Sequence, residues 1–500
     1  MKKILSLCLW VFVLVCAAAG QAAESSADGL WRTVDRIPAA KISQRHDIQP
    51  NKFKAFNVDT PLLRSRLGRA PKEFNVTPGV DGKTEITLPK PDGTFAQFNI
   101  EEVALMEPEL AAKFPEIKTY RGRGVTDPMA TLQLDVNDKT LHAQVLSPSG
   151  TYYVDPYYQH DGSVYMSYAK SDLTLGDRQF KCLVEGRDLN PRIAAAMAAA
   201  SPASAGQTLR TYRLACATSM RYSQYHGGNV PVVADVLAAL VTMNNRISGV
   251  YETELGIRLI LVGNNDLIIA SATNPTPYTD TPGDIGTNPP YIDSKIGEDN
   301  YDIGHVVTVG SGGVAGLGVV CLGFNILSGG SDKAAGTTGI DPPVGDGFWI
   351  DYVAHEMGHQ FGGNHTFNGD GTNCGDVNQN PSTAYEPGSG STIQAYAGIC
   401  GAANNLQPHS DAYWHFISLE EMFAYSTAGD GGTCPVQTPT GNNPPSVSAG
   451  ADYKIPARTP FALTAINGFD PDGDPLTYCW EEADLGPQKA GTAPDNGQSA

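Results

Sequence analysis

Positive charge is scarce in this 500-residue chain: 34 Lys and Arg face 53 Asp and Glu, a formal net charge of −19. So acidic a surface repels nucleic-acid phosphates and anionic lipid headgroups, and neither is an expected partner. Long apolar runs are missing too. Beyond the first 23 residues none reaches the roughly 18 apolar residues that a membrane-spanning helix needs, so no membrane span is expected. Aromatic residues make up only 8% and charged residues 17%, yet 41% are hydrophobic, enough for folded cores. The 54 Gly and 35 Pro imply many turns. At about 150 residues per domain, the length implies three or four units.

The start of the chain reads as an export signal. Lys2 and Lys3 precede an apolar run over 4–19, and small residues follow at Ala19, Gly20, Ala22 and Ala23. Residues 1–23 are therefore expected to be removed and the protein secreted. Cys8 and Cys16 leave with them, and Cys182, Cys216, Cys321, Cys374, Cys400, Cys434 and Cys479 remain. In an oxidising compartment disulfides are the default state of such cysteines, although an odd number leaves at least one without a partner in this chain.

Two composition breaks divide the remainder. Residues 193–207 are rich in Ala and Ser with almost no charge and read as an exposed linker. Residues 435–446, rich in Pro, Thr and Asn, read as a second. Before the first break, segments such as 84–89, 131–136 and 163–168 alternate apolar and polar residues between turns, so 24–192 is expected to be a mainly β domain. After the second, 461–464 and 476–480 read as strands of an incomplete Ig- or cadherin-like β-sandwich over 447–500, and the chain is expected to continue in a longer protein. Charge is unequally shared. Residues 24–206 carry 22 basic and 23 acidic side chains, whereas 207–434 carry 7 and 22, so the first unit can complement the field of the second.

The middle region, 208–434, mixes element types and reads as α/β. Strands are expected at 211–217, 257–262 and 306–309, and a glycine-interrupted sheet edge at 314–320. From 232 to 251, Val233, Val236, Leu237, Leu240, Met243 and Ile247 recur at three- and four-residue spacing, the mark of an amphipathic helix. A second helix is expected from about Phe348 to Phe361, stopped by Gly362 and Gly363.

That second helix carries the chemistry. It contains His355-Glu356-Met357-Gly358-His359, followed by Gly362 and His365. Histidines four apart on a helix project from one face, so both can bind one zinc ion at about 2.0–2.1 Å. Gly362 allows the sharp turn that returns His365 to the same metal. Three imidazoles leave a fourth position for water, with Glu356 beside it as a proton acceptor. Chance coincidence of these five positions in such a chain is on the order of 10⁻⁵.

The string HEMGHQFGGNH resembles the HExxHxxGxxH signature of the metzincin zinc endopeptidases. With GGVAGLGVVC before it and AYEPGSGSTIQAYAGICG after it, the region 208–434 is most similar to the bacterial reprolysin-like branch, relatives of the adamalysins. The resemblance implies a mixed twisted sheet with long helices, His355, His359 and His365 as zinc ligands, Glu356 as general base, and protein or peptide substrates. It further implies a substrate strand along 314–318 and a side-chain pocket lined by 397–406. Where the family places a methionine beneath the metal, this chain has Gln394. Tyr396 stands where some relatives place a tyrosine that touches the metal or the oxyanion. The β domain before the linker is expected to be a propeptide whose Cys182 places a thiolate on the zinc as an inhibitory switch, or else pairs with Cys216. The family pattern also implies Cys321–Cys434 and Cys374–Cys400 disulfides.

The remaining candidates are weaker. His226, His305, His409 and His415 lack ligand spacing and read as structural. Ser418 and Glu421 form a capping-box pattern that would open the last helix of the region. Asp470, Asp472 and Asp474 resemble a Ca²⁺ loop, or a solvated turn. The alternative to a peptidase is a surface adhesion protein that keeps the fold as a scaffold; Gln394 is its only support.

Overall fold

The computed structural model describes residues 25–39, 44–74, 84–174, 180–185, 190–200, 205–310, 312–375 and 377–485; the expected leader, 1–23, lies outside them. The first unit is the expected β domain. Nine strands, β1 (Trp31–Thr33), β2 (Lys54–Val58), β3 (Thr84–Pro89), β4 (Phe95–Val103), β5 (Lys118–Gly124), β6 (Thr131–Val136), β7 (Leu141–Leu146), β8 (Tyr152–Tyr158) and β9 (Asp161–Ala169), form one antiparallel sheet. Their order is β1-β2-β9-β8-β7-β6-β5-β4-β3. Leu88, Phe98, Leu132, Leu134, Ala143 and Val154 fill its core.

The second unit is built on β10 (Thr208–Thr218), β11 (Ile257–Leu261), β12 (Ile303–Thr308), β13 (Gly312–Ala315), β14 (Phe324–Asn325), β15 (Gly330–Ser331), β16 (Gly336–Gly339) and β17 (Val436–Pro439). The main sheet runs β11-β10-β12-β16-β13, with β17 also paired to β10; it is parallel except for β13, antiparallel to β16 at one edge, and β17, antiparallel to β10. The helix Val233–Leu255 is the expected amphipathic helix, extended by one turn and ended by Gly256 at φ +63°. Its apolar stripe packs with the sheet and with the helical segment 346–360 in one large core.

The first unit adds backbone to both edges of this sheet. On the outer side of β11, Leu261 N–H donates to Leu105 O and Glu107 N–H to Leu261 O, each at 2.9 Å. On the outer side of β13, Gly313 N–H donates to Lys181 O at 3.0 Å and Leu183 N–H to Gly313 O at 2.9 Å. Unpaired strand edges are thereby covered. Charge follows the same division: Lys113, Arg121 and Lys139 of the first unit pair with Asp266, Glu252 and Asp235 of the second.

Three expectations need correction. The Ala-rich stretch is no exposed linker over its first half. Pro191–Ala199 is a helix, capped by Asn190, whose Ile193 and Ala196 are buried against the second unit. Alanine has the highest helix propensity and proline suits the first turn, so composition alone misread it. The final helix of the region starts at Phe416, with His415 as its cap, so Ser418 lies inside the helix rather than at a capping box. In the last segment the paired strands are Ser446–Ser448 and Ile466–Phe469, not 461–464 and 476–480; their apolar residues are exposed.

Candidate metal centre

Helical backbone begins at Asp346, just after Gly345 at φ +82°, and runs to Gln360. Its middle, Trp349–Ala354, is π-helical, an underwound stretch of the kind often found at functional sites. Buried Arg246 donates to Asp346 at 2.6 Å from one side, and Gln144 of the β domain donates to it at 2.6 Å from the other. At the far end Gly362 takes φ +98°, and a Cβ there would lie 3.0 Å from Ile193 Cδ1. The positive φ calls for glycine, and a side chain there would also press on Ile193. Gly362 N–H closes on His359 O at 2.8 Å and Gly363 N–H on Gly358 O at 2.9 Å, and the chain turns back to His365.

Three imidazoles then meet. The Nδ1 of His355 lies 2.7 Å from Ile393 O, that of His359 2.6 Å from Gly363 O, and that of His365 2.6 Å from Asn378 O. A carbonyl only accepts, so each Nδ1 carries the proton and each Nε2 keeps a bare lone pair. Those lone pairs converge: His359 Nε2 is 3.1 Å from the Nε2 of both His355 and His365. All three rings are buried, and burial drives their pKa values down, to about 4 for His355. Neutral acceptors facing one another at this distance repel unless a cation lies among them. Nitrogens bound to tetrahedral zinc at about 2.0–2.1 Å stand roughly 3.3 Å apart, so the cluster fits that ion. Outward donation of each Nδ1–H to a carbonyl is the usual support of a zinc-bound histidine.

Glu356 lies alongside, fully buried, and neither carboxyl oxygen has a hydrogen bond of ordinary geometry to a described residue. Burial pushes it up to about 8, offset in part by the nearby Cys182 thiol. Glycine at position 313 leaves it room, because a Cβ there would collide with the carboxylate. An unpartnered buried carboxylate is costly to a fold and marks a functional position. Gln394 sits under His359: its Nε2 donates to Gly363 O at 3.0 Å, the same carbonyl that orients His359, while its Oε1 has no hydrogen bond. Tyr396 is buried with its ring centroid 4.7 Å from that of His365, and its hydroxyl is 3.5 Å from Cys182 O.

Cys182 enters from the β domain's end. Its Sγ is 3.6 Å from His359 Nε2 and receives Val184 N–H at 3.4 Å; burial, with Glu356 nearby, raises its pKa. Cys182, His355, His359 and His365 form a group whose donor atoms lie within 4.8 Å of one another. The Cys182–Cys216 disulfide is absent, and both thiols are free and buried. Cys321 is bonded to Cys434, and Cys374 to Cys400.

Several site residues have no sequence signal. Ile393, Gly363 and Asn378 act through backbone carbonyls, which no residue type announces. Phe180, whose ring stacks on Tyr352, stands two positions before Cys182, and that proximity was the available clue. Elsewhere, His305 bridges Gln360 and Thr338, His409 pairs with Asp351, and His226 meets Pro343 O, all outside the cluster. Asp470 accepts from the backbone of Asp472 and Asp474, a turn rather than a convergence of carboxylates, and Ca²⁺ finds no support among the described residues. No described helix is long and apolar enough to cross a membrane.

Residues 208–417 match the model of Metallo-peptidase family M12B, reprolysin-like. No curated protein matches the chain. Among solved structures, the chain is similar to metalloproteinase-II from Bacteroides fragilis over 63% of its own length and 89% of that chain, at 11% identity and a TM-score of 0.35.

Proposed function

With residues 208–417 a reprolysin-like metallopeptidase domain, we propose that the chain is a secreted zinc endopeptidase made as a latent precursor, with Glu356 as general base. The observation that carries this reading is the convergence of three proton-free Nε2 atoms beside an unpartnered buried carboxylate. His355, His359 and His365 hold the zinc. When bound, it supplies a Lewis acid that acidifies a water and polarises a peptide carbonyl.

The chain's own groups do the rest. Glu356 takes the proton from the attacking water and hands it to the departing amine. A carboxyl held well above its ordinary range by burial is suited to that shuttle. Tyr396 directs its hydroxyl to the developing oxyanion. Gln394 fixes the ring of His359 through the shared Gly363 carbonyl. Cys182 fills the place of the water while the β domain remains, and its neighbours Lys181 and Leu183 occupy the β13 edge on which a substrate would add as a strand. The Cys321–Cys434 and Cys374–Cys400 bonds suit an oxidising compartment.

Casein digestion by the zinc-loaded, trypsin-nicked chain tests the reading. Cleavage abolished by chelation and lowered about 10²–10⁴-fold by Glu356→Gln is expected. Cleavage that survives both treatments refutes it.

A further inference from the structure

The segment that blocks the site also reports what the site prefers. Phe180 and Cys182 are two residues apart on extended backbone, so both side chains point to the same side. Cys182 meets the histidines; Phe180 lies on Tyr352 and, with it, lines a narrow slot whose other walls include His355, Tyr396, Ala397 and Ile399. Its ring stacks on Tyr352 with centroids 3.7 Å apart and planes at 11°, and the side chain is almost wholly buried.

The slot is built on supported elements. Tyr352 lies in the π-helical turn just before His355. Opposite, Asn373 Nδ2 donates to Ile399 O at 3.0 Å and reaches Phe180 O at 3.4 Å, and the Cys374–Cys400 bond pins that wall next to the metal cluster. A side chain laid on the face of Tyr352, as Phe180 is, gains most contact when it is itself a flat ring.

We propose that the enzyme cleaves peptides bearing a phenylalanine or tyrosine beside the scissile bond, taken up by this slot in place of Phe180, and that Tyr352 selects the ring. The proposal rests on the endopeptidase reading above. Phe180 is then a substrate mimic built into the precursor, whose strand pairing on β13 and ring in the slot reproduce the two contacts a substrate needs.

A peptide library digested by the zinc-loaded, trypsin-nicked full-length chain tests it. Aromatic residues beside the cleaved bond, favoured over alanine by about thirtyfold or more in kcat/KM, are the expected result. Tyr352→Leu should reduce the preference for phenylalanine over leucine by about three- to tenfold, and Tyr352→Phe should retain it. Chelator-sensitive cleavage with no aromatic preference overturns the pocket assignment and leaves the endopeptidase reading standing. Absence of any chelator-sensitive cleavage overturns both. If Tyr352→Leu does not fold, the wild-type library and Tyr352→Phe decide the matter.

Discussion

Asp155→Ala would test how the β domain is held on the second unit. Asp155, on β8, is fully buried and accepts from Arg246 Nη2 at 2.5 Å, His142 Nδ1 at 2.8 Å and Tyr168 Oη at 2.7 Å. Burial alone would raise its pKa; the charge of Arg246, with the His142 and Tyr168 hydrogen bonds, outweighs burial and holds it at about 2. A carboxylate depressed from about 3.8 to about 2 contributes roughly 2 kcal/mol, present above pH 4 and lost as pH falls through 2. Deleting it does more, because Arg246 is left almost without solvent contact and with Asp346 as its remaining carboxylate partner. Removing one partner of a buried ion pair costs about 3–5 kcal/mol. Urea unfolding of the full-length chain should show that loss for Asp155→Ala and a smaller one for Asp155→Asn, which keeps an acceptor. A loss under about 1 kcal/mol for the alanine variant would show that Arg246 is satisfied without Asp155, and the network argument would be wrong.

Other outcomes follow from the same structure. Ile193→Ala should destabilise the second unit by about 2–4 kcal/mol in the same unfolding assay, since Ile193 is wholly buried against Gly362; a surface linker residue would cost nothing measurable. Gln394→Met should retain bound zinc and change stability by no more than about 1.5 kcal/mol, because it trades one hydrogen bond for removal of an unsatisfied oxygen; loss of zinc would show that the amide is required. Burial depresses His226 to about 3 and His305 to about 4. Both are neutral in the fold and charge on unfolding, so stability is full above about pH 6.5 and falls toward pH 4 by about 1.4 kcal/mol per unit for each. An unfolding midpoint flat from pH 7 to 4.5 would contradict this.

The chemistry was the most legible part of the sequence because its spacing is fixed by helix geometry. His355 and His359 must share a face, and Gly362 must adopt a backbone that other residues resist. Alternation likewise gave the strands of the β domain, where one face is buried. What escaped depends on contacts rather than on periodicity. The π-helical turn over Trp349–Ala354 has no residue signature. The Pro191–Ala199 helix shows its place only through Ile193 and Met197, two large apolar residues four apart in a run of alanines. The start of the last helix was misjudged because Glu421, which looks like a capping residue, instead accepts from the backbone and side chain of Asn364 and steadies the turn between His359 and His365.

Metal analysis of the purified full-length chain after exhaustive dialysis tests the central claim most directly. One tightly held zinc per chain is predicted, lost in a His355→Ala, His359→Ala double variant and kept in Glu356→Gln. A chain that is folded yet free of zinc, or a double variant that binds it as well as the wild type, would contradict the account.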